Sequence, residues 1–219
     1  KMTERRIRER MKKIPSGKYY FEDTMDDDGF GNKDIRLKLL ITVKKNKKLH
    51  FDFSGSSSQV KGNINCTFAA TKATIGYAVK ALLGPDIPSN DGIFSCFDLL
   101  CETGSIVNAQ FPSAVANRAQ TSQRIADMVI GALAPALPLA ATAASHGTTV
   151  LLGFSGTDPR NRGKPFVYFE VIAGGGGARA TKDGKDGVMV HVTNTSNMPV
   201  ESIETEFPLL VESYELIQD

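Results

Sequence analysis

The sequence predicts an α+β fold, in which antiparallel β-hairpins and a mixed sheet pack against two central helices. Apolar and polar residues alternate from Ile35 to Val43, and the alternation resumes from Leu49 to Phe53 beyond a lysine-rich turn, as expected of a β-hairpin. Two later segments, Thr67 to Leu83 and Ser122 to Leu133, instead carry apolar residues at helical spacing. Hairpins at both ends of the chain, with two helices between them, are typical of an α+β architecture.

The first hairpin is preceded by a short amphipathic helix and a strand. The helix spans Thr3 to Ile14, and its apolar residues Ile7, Met11 and Ile14 form one stripe. The strand spans Tyr19 to Thr24. We expect the apolar stripe of this helix to be buried against the core.

An acidic loop, Asp26 to Gly31, follows that strand. Its carboxylates, together with those of Asp23 and Asp34, are hard oxygen ligands of the kind that divalent cations prefer. Their spacing does not match an EF-hand loop, which places acids at alternate positions and ends in a glutamate. We therefore interpret the segment as a solvated turn between two strands.

The remaining elements follow from the same patterns. The core-facing residues of the two central helices are predicted to be Phe68, Ile75, Val79 and Leu82 in the first and Ile125, Met128, Val129 and Leu133 in the second. Gly84-Pro85 ends the first of these helices. Further strands are predicted at Ile93 to Glu102, Val150 to Phe154, Phe166 to Ala173 and Val188 to Thr193, with a turn from Asp158 to Gly163.

Length and composition are those of an ordinary globular protein. The 219 residues suffice for a substantial core, and we expect a single domain spanning residues 1–219. A net charge of +2 gives no general attraction to nucleic acid or to a membrane surface, and no apolar stretch is as long as a spanning helix. Three cysteines without CxxC spacing indicate reduced thiols, so we expect a cytoplasmic protein. The chain opens inside a charged helical pattern, and we expect it to be an internal segment of a longer polypeptide.

The strongest candidate for a functional site is the segment from Phe166 to Glu201. An apolar run that contains one acid, Glu170, leads into four consecutive glycines, Gly174, Gly175, Gly176 and Gly177. A second apolar run then brings His191 into a polar segment that contains Asn194. Four successive glycines lower stability, because each loses more backbone freedom on folding than any other residue. Their presence predicts either a close approach of the backbone to another group or positive φ angles.

We predict catalytic roles for Glu170, His191 and His146, and substrate binding by the four glycines and Asn194. An acid within an apolar strand is costly unless it is paired. His146 lies among small residues, which let a ligand or a second backbone come close, and an imidazole there can act as a base. No metal ligand is assigned.

Structural roles remain open for the same residues. Glu170 is equally well explained by a buried ion pair with Arg179 or Arg118, and each histidine by a hydrogen bond within the fold. Cys66 stands at the start of a predicted helix, where a nucleophilic thiolate can be stabilised, but a small residue packed at the helix start is the preferred interpretation. The glycine run matches no phosphate-binding loop, and no complete catalytic set is visible.

Six stretches of the sequence together resemble the hydantoinase B/oxoprolinase family. They are LHFDFSGSSSQVKGNINC, LLGPDIPSNDGIF, GSIVNAQFPSAVANRAQTSQRIADMVIGALAPALP, ASHGTT, GTDPR and FVYFEVIAGGGGARATKDGKDGVMVHVTNTSNMPVESIETEFPL, in family order. The family includes N-methylhydantoinase B subunits, the C-terminal part of 5-oxoprolinase, and subunits of acetone and acetophenone carboxylases. In combination the stretches are far more specific than any one of them.

The resemblance implies a part of the hydrolytic subunit of an ATP-dependent cyclic amidase, which opens hydantoin or 5-oxoproline rings. It implies a hetero-oligomer in which a hydantoinase A-like subunit or domain binds ATP and activates the substrate. In the family a divalent metal is held by an Asp/His cluster upstream of this segment, so the segment itself is expected to bind no cofactor and to be inactive alone. Two alternatives stay open, a ketone carboxylase subunit of the acetone or acetophenone type and a non-catalytic docking domain.

Overall fold

A computed structural model describes residues 1–216 and confirms the α+β architecture. Four strands form one sheet in the order β1, β2, β3, β4, with the bounds Gly17–Asp27, Lys33–Val43, Leu49–Asp52 and Phe97–Leu100. β2 is antiparallel to both β1 and β3, whereas β4 runs parallel to β3, so the sheet is mixed. Alternate residues of β2 from Ile35 to Val43 are buried, which is the physical origin of the alternation in the sequence.

Three helices pack with this sheet around the core. Their bounds are Met2–Met11 for α1, Phe68–Leu83 for α2 and Ala119–Leu133 for α3. α2 packs against α1 and α3, and α3 also lies against β1 and β2. The predicted stripe of α1, Ile7, Met11 and Ile14, is buried, as is the predicted face of α3. Because α3 touches both the sheet and α2, it lies at the centre of the fold.

Two predictions about the helices and strands of this region need correction. Phe68 does not face the core: it is 40% exposed, because it stands at the very start of α2, before the first buried residue, Thr71. The segment predicted as a strand from Ile93 to Glu102 begins with a 3₁₀ turn at Phe94–Cys96 and becomes a strand only in β4. The hydroxyl of Ser95 donates to the carbonyl of Gly92 over 2.9 Å, and such local bonds compete with a strand ladder.

The second half of the chain adds a long hairpin and a small glycine-rich sheet. The bounds are Val150–Asp158 for β5, Lys164–Ile172 for β6, Gly175–Gly176 for β7, Lys185–Asp186 for β8 and Val200–Glu206 for α4. β5 and β6 are antiparallel and are joined through the predicted turn, where Asp158 caps a 3₁₀ turn at Pro159–Asn161. Tyr168 of β6 is buried and packs edge-on against Phe207, with the ring centroids 5.2 Å apart. No helix within residues 1–216 is long and apolar enough to cross a membrane.

The strand predicted from Val188 to Thr193 does not form. The segment makes a turn instead, in which the Thr193 amide donates to the Val190 carbonyl over 3.2 Å and His191 has a φ of 51°. The carbonyl of Val190, which a strand would present to a neighbouring strand, also accepts a hydrogen bond from the side chain of Gln123 at 3.1 Å. A tertiary contact with α3 therefore overrides the local β propensity of the valines.

The predicted acidic loop begins later than expected, because Asp26 and Asp27 still belong to β1. From Asp28 onward the segment is a turn between β1 and β2, but one of its acids is not solvated. Asp28 is 6% exposed. Its carboxylate accepts hydrogen bonds from the amides of Phe30 at 2.9 Å and Gly62 at 3.0 Å, and from the side chain of Asn32 at 2.6 Å. Burial by itself raises the pKa of this carboxyl, but the hydrogen bonds outweigh it and lower the pKa to about 2. Asp28 thus links this turn to the segment around Gly62 by a hydrogen bond.

The three cysteines are free, as their spacing predicted, and all three are buried. Burial raises the pKa of each thiol, and that of Cys101 reaches about 12. Cys66 packs just before α2, with its sulfur 3.5 Å from the hydroxyl of Ser122. A raised pKa disfavours the thiolate, so the packing interpretation of Cys66 is supported.

Candidate functional site

A polar stripe on α3 organises the site. Gln120, Gln123, Arg124 and Asp127 recur at intervals of three and four residues, so they share one face of the helix. Gln120 holds the backbone of Thr149, donating to its carbonyl at 2.8 Å and accepting from its amide at 3.0 Å. Arg124 pairs with Asp23 of β1. The stripe therefore joins the sheet to the loops of the second half of the chain.

His191 is bound to this stripe through Asp127. The Nε2 atom of His191 lies 2.7 Å from Oδ1 of Asp127, and both side chains are almost fully buried, at 7% and 5% exposure. The same carboxylate accepts hydrogen bonds from the amide of Ser145 at 3.2 Å and from its hydroxyl at 3.0 Å. Asp127 thus connects the turn that carries His191 to the segment that precedes β5.

The ionisation of Asp127 determines the hydrogen bonding of the imidazole. Burial raises the pKa of Asp127, but the hydrogen bonds and charge of His191 and the bonds from Ser145 outweigh it, so the net pKa is lowered. An ionised carboxylate only accepts, so Nε2 of His191 carries a proton and donates it to Asp127. In the neutral imidazole Nδ1 is then an acceptor, and it lies 3.4 Å from the hydroxyl of Tyr77 on α2.

The backbone of His191 is strained. Its φ of 51° is in the left-handed region, which few residues other than glycine adopt. The turn is held by Gln123, whose side-chain nitrogen donates to the Val190 carbonyl at 3.1 Å and lies 3.1 Å from the Thr193 hydroxyl. Strain of this kind costs on the order of 1 kcal/mol or more and occurs preferentially at functional sites.

The glycine run serves close approach and not left-handed backbone. None of the four glycines has a positive φ. A Cβ built on Gly177 would lie 2.2 Å from the carbonyl oxygen of Ala143, and one built on Gly174 would lie 2.4 Å from the ring of His146. Any larger residue at either position would collide with its neighbour, so the first of the two alternatives drawn from the sequence is correct.

A cavity of about 570 Å³ lies between this run and α2. His191, Tyr77, Gly176 and Gly177 contribute to its wall, and three cationic side chains also line it, Arg179, Lys182 and Lys185, with one acid, Asp183. The excess of positive charge favours an anionic ligand or an anionic group of a ligand. The size is that of a typical small-molecule site.

Glu170 lies apart from this cavity. Its carboxylate accepts hydrogen bonds from the hydroxyl of Tyr168 and, at 2.9 Å, from the amide of Met198. Burial, followed by this carboxylate's hydrogen bond and charge, raises the pKa of Tyr168 to about 12. Neither Arg179 nor Arg118 forms an ion pair with Glu170 in the described residues 1–216, so the ion-pair explanation is wrong. The charge is satisfied by hydrogen bonds within the hairpin and the segment after it.

His146 and Asn194 flank the site without lining the cavity. The amide of His146 donates to the Gly175 carbonyl at 3.2 Å, and its Nδ1 atom lies 3.4 Å from the Gly175 amide. The ring of His146 therefore packs on the glycine run, which fits a structural role for this histidine. Asn194 is exposed. Of the predicted site residues, the structure brings together His191, Gly176 and Gly177.

Asp127, Tyr77 and Gln123 are the functional candidates that the sequence did not identify. Asp127 and Gln123 lie within the predicted helix from Ser122 to Leu133, where buried apolar residues dominated the interpretation. The signal that identifies them is the second periodicity of α3, the polar residues at positions 120, 123, 124 and 127. Because a polar stripe on a helix is usually solvent-facing, only burial reveals its role.

The described residues do not offer a metal site. Within residues 1–216 no group of three or more histidine, cysteine, aspartate or glutamate side chains converges. Asp127 and His191 form a pair, and the other oxygen of Asp127 is bonded to Ser145. We therefore derive no chemical step through a metal on this chain.

A family model described as hydantoinase B/oxoprolinase matches residues 1–219. The chain belongs to the hydantoinase B/oxoprolinase family. Among curated members of this family, the B-type subunit of a putative D-/L-hydantoinase from Pseudomonas sp. (strain NS671) is 29% identical over 227 residues, covering 98% of the chain. The 5-oxoprolinase 1 of Arabidopsis thaliana is 36% identical over 196 residues, covering 89% of the chain.

Two solved structures have the same fold as this hydantoinase B/oxoprolinase chain. The ATP-dependent caprolactamase from Pseudomonas jessenii superposes with a TM-score of 0.85 and 24% identity, over 100% of this chain and 38% of that one. Acetone carboxylase in its nucleotide-free form superposes with a TM-score of 0.71 and 17% identity, over 95% of this chain and 30% of that one. The chain spans 37% of the Pseudomonas hydantoinase protein and 14% of the plant oxoprolinase.

Proposed function

We propose that this chain is part of the hydrolytic subunit of an ATP-dependent cyclic amidase, which opens a hydantoin-like or 5-oxoproline-like ring. The observation that carries the proposal is His191, held in a strained turn against the buried carboxylate of Asp127 at the wall of a cationic cavity. The family membership supplies the reaction class. The names of the curated relatives, a hydantoinase and a 5-oxoprolinase, supply the candidate rings.

The site suits the addition of water to an activated ring carbon. As the water oxygen bonds to that carbon, one of its protons passes to Nδ1 of His191, and Asp127 stabilises the imidazolium that results. When the ring C–N bond breaks, the same proton passes to the departing nitrogen. The activating phosphoryl group then remains on the former ring carbonyl as an acyl phosphate, which a second water cleaves to the free carboxylate and inorganic phosphate. The hydroxyl of Tyr77, 3.4 Å from Nδ1, marks the position at which a proton donor or acceptor meets the imidazole. In this scheme Gln123 and Ser145 act by positioning. Gln123 contacts the turn that carries His191, and Ser145 contacts the carboxylate of Asp127.

The proposed partner is a hydantoinase A-like subunit or domain that binds ATP and activates the ring carbonyl. A lactam carbonyl is a weak electrophile, and phosphorylation of its oxygen would make it a strong one. The three cations at the cavity, Arg179, Lys182 and Lys185, suit the negative charge that such an activated ring would carry. A divalent metal, where the enzyme uses one, would be held outside this chain, and the complex would be cytoplasmic, in keeping with three free thiols.

The contacts in the structure support a role for some of the other predicted residues more than for others. His146 and the glycine run would form the rigid back of the site, with Gly176 and Gly177 facing the ligand. Glu170 and Asn194 stay predictions, Glu170 as a catalytic residue and Asn194 as a substrate ligand.

The test measures ATP-dependent ring opening in the assembled complex with its ATP-binding partner. His191→Asn is the informative variant, because asparagine also tolerates the left-handed backbone. We expect it to lower kcat by about 10²-fold to 10⁴-fold, the usual worth of a general base. His50→Asn, on the exposed face of β3, is the matched control and leaves kcat unchanged.

The same assay separates the second and third candidate functions. A ketone carboxylase subunit, which the fold shared with acetone carboxylase favours, would consume ATP with acetone and bicarbonate and not with hydantoin or 5-oxoproline. A docking domain without a catalytic role would give equal kcat values for wild type and His191→Asn. Equal kcat values would show that the reaction does not take place in the cationic cavity.

A further inference from the structure

A second cavity lies on the other side of Tyr77 and is apolar. It measures about 370 Å³ and lies between α2 and the segment from Pro85 to Phe94. Its apolar lining includes Ala73, Gly76, Ile93 and Phe94. Polar groups are few, and two of them, the ammonium of Lys80 and the hydroxyl of Ser89, are hydrogen-bonded to each other at 2.9 Å. The volume is within the range of small-molecule sites.

Gly76 shapes this cavity. A Cβ built on Gly76 would lie 2.6 Å from Cε1 of Phe94, so the absence of a side chain lets the phenyl ring lie directly on the helix. The ammonium of Lys72 lies 5.7 Å from the centre of the same ring. Phe94 is therefore held as a wall of the cavity.

The two cavities adjoin along one ridge. Tyr77, Ala81 and Pro85 line both of them. Tyr77 and Ala81 are one turn apart on α2, and the Tyr77 hydroxyl points to His191. Ala81 has the smallest side chain of the ridge, so a ligand that reaches from one cavity to the other meets least obstruction there.

We propose that the apolar cavity is a subsite for a hydrophobic substituent of the ligand whose polar ring occupies the cationic cavity. This inference rests on the proposed function, since it assumes that the ring lies beside His191. A substituent the size of a benzyl group, moved from water onto Ala73, Ile93 and Phe94, gains binding only through removal of apolar surface. Removal of about 60–110 Å² of that surface from water, at about 25 cal/mol per Å², corresponds to a tenfold to hundredfold increase in affinity.

The test compares hydantoin with 5-benzylhydantoin in the assembled complex. Wild type is expected to show a kcat/KM about tenfold to a hundredfold higher for the benzyl compound. Ala73→Leu places a larger side chain in the cavity without disturbing the helix, because Ala73 is exposed and leucine is a good helix former. It should abolish most of that preference while leaving kcat/KM for hydantoin unchanged. Ala69→Leu, one turn earlier on the same face and outside the cavity, is the matched control and should change neither value.

An unchanged preference for the benzyl compound in Ala73→Leu would overturn the subsite, and so would a wild type without any preference. If wild type opens neither ring, the proposed function fails by itself, and calorimetric binding of 5-benzylhydantoin to the complex then decides the subsite. Binding that Ala73→Leu weakens about tenfold and Ala69→Leu does not would support it, whereas no binding, or equal binding by both variants, would overturn it.

Discussion

Removal of the Asp127 carboxylate should destabilise the protein far more than removal of an exposed acid. In Asp127→Ala, His191 and Ser145 lose the acceptor that joins two segments of the second half of the chain. The bond from the buried imidazole to a charged group is worth about 1.5–3 kcal/mol, and the two bonds from half-buried Ser145 add about 1 kcal/mol, since water replaces part of them. We therefore expect a loss of about 3 kcal/mol in the free energy of unfolding.

Urea unfolding at neutral pH measures this loss, with Asp98→Ala as the matched control. Asp98 pairs with Lys48 at 2.9 Å, but its side chain is 57% exposed, so its removal should cost about 0.5 kcal/mol or less. Equal unfolding midpoints for the two variants would refute the view that Asp127 organises the site.

The effect of Asp127 should also depend on pH with a definite sign. Its pKa is lowered in the folded protein, so its contribution is present above the ordinary aspartate pKa of about 3.9 and is lost as the pH falls below it, through the lowered pKa. The difference in the free energy of unfolding between wild type and Asp127→Ala should therefore become smaller as the pH is lowered. A difference that grows on acidification would contradict the assignment.

Three further predictions concern packing and burial. Gly177→Ala should lower the free energy of unfolding by about 1–3 kcal/mol in thermal melts, because the new Cβ meets the Ala143 carbonyl, whereas Gly153→Ala, with its nearest neighbour 3.6 Å away, should be tolerated; equal melting temperatures would exclude the steric explanation. In Asp28→Asn the free energy of unfolding should fall less steeply between about pH 4 and pH 2 than in wild type. A carboxyl with a pKa of about 2 stabilises the fold above its unfolded pKa and loses that effect as the pH falls through 2. An equally steep fall in both proteins would count against this role of Asp28. The three thiols should resist iodoacetamide in the folded protein and react after denaturation in urea, and rapid labelling of Cys101 under native conditions would show that its burial is wrong.

The sequence alone determined most of the fold and the family. The alternation from Ile35 to Val43 and the apolar periodicity of α2 and α3 could be interpreted directly, because both arise from burial of one face of a local element. The glycine run indicated either a close backbone approach or positive φ angles, because four successive residues that lose so much backbone freedom on folding need a compensating contact or conformation.

Only the tertiary structure decided what that contact is and which side chains form the site. The valines around His191 favour a strand, and nothing within that segment shows that Gln123, 67 residues away from Val190 along the chain, binds its carbonyl and turns the backbone instead. The partner of His191 is likewise 64 residues away, on a helix whose polar stripe looks solvent-facing in the sequence. Local patterns record which face of an element is buried, whereas a site made by polar groups from distant segments is determined by how those elements pack.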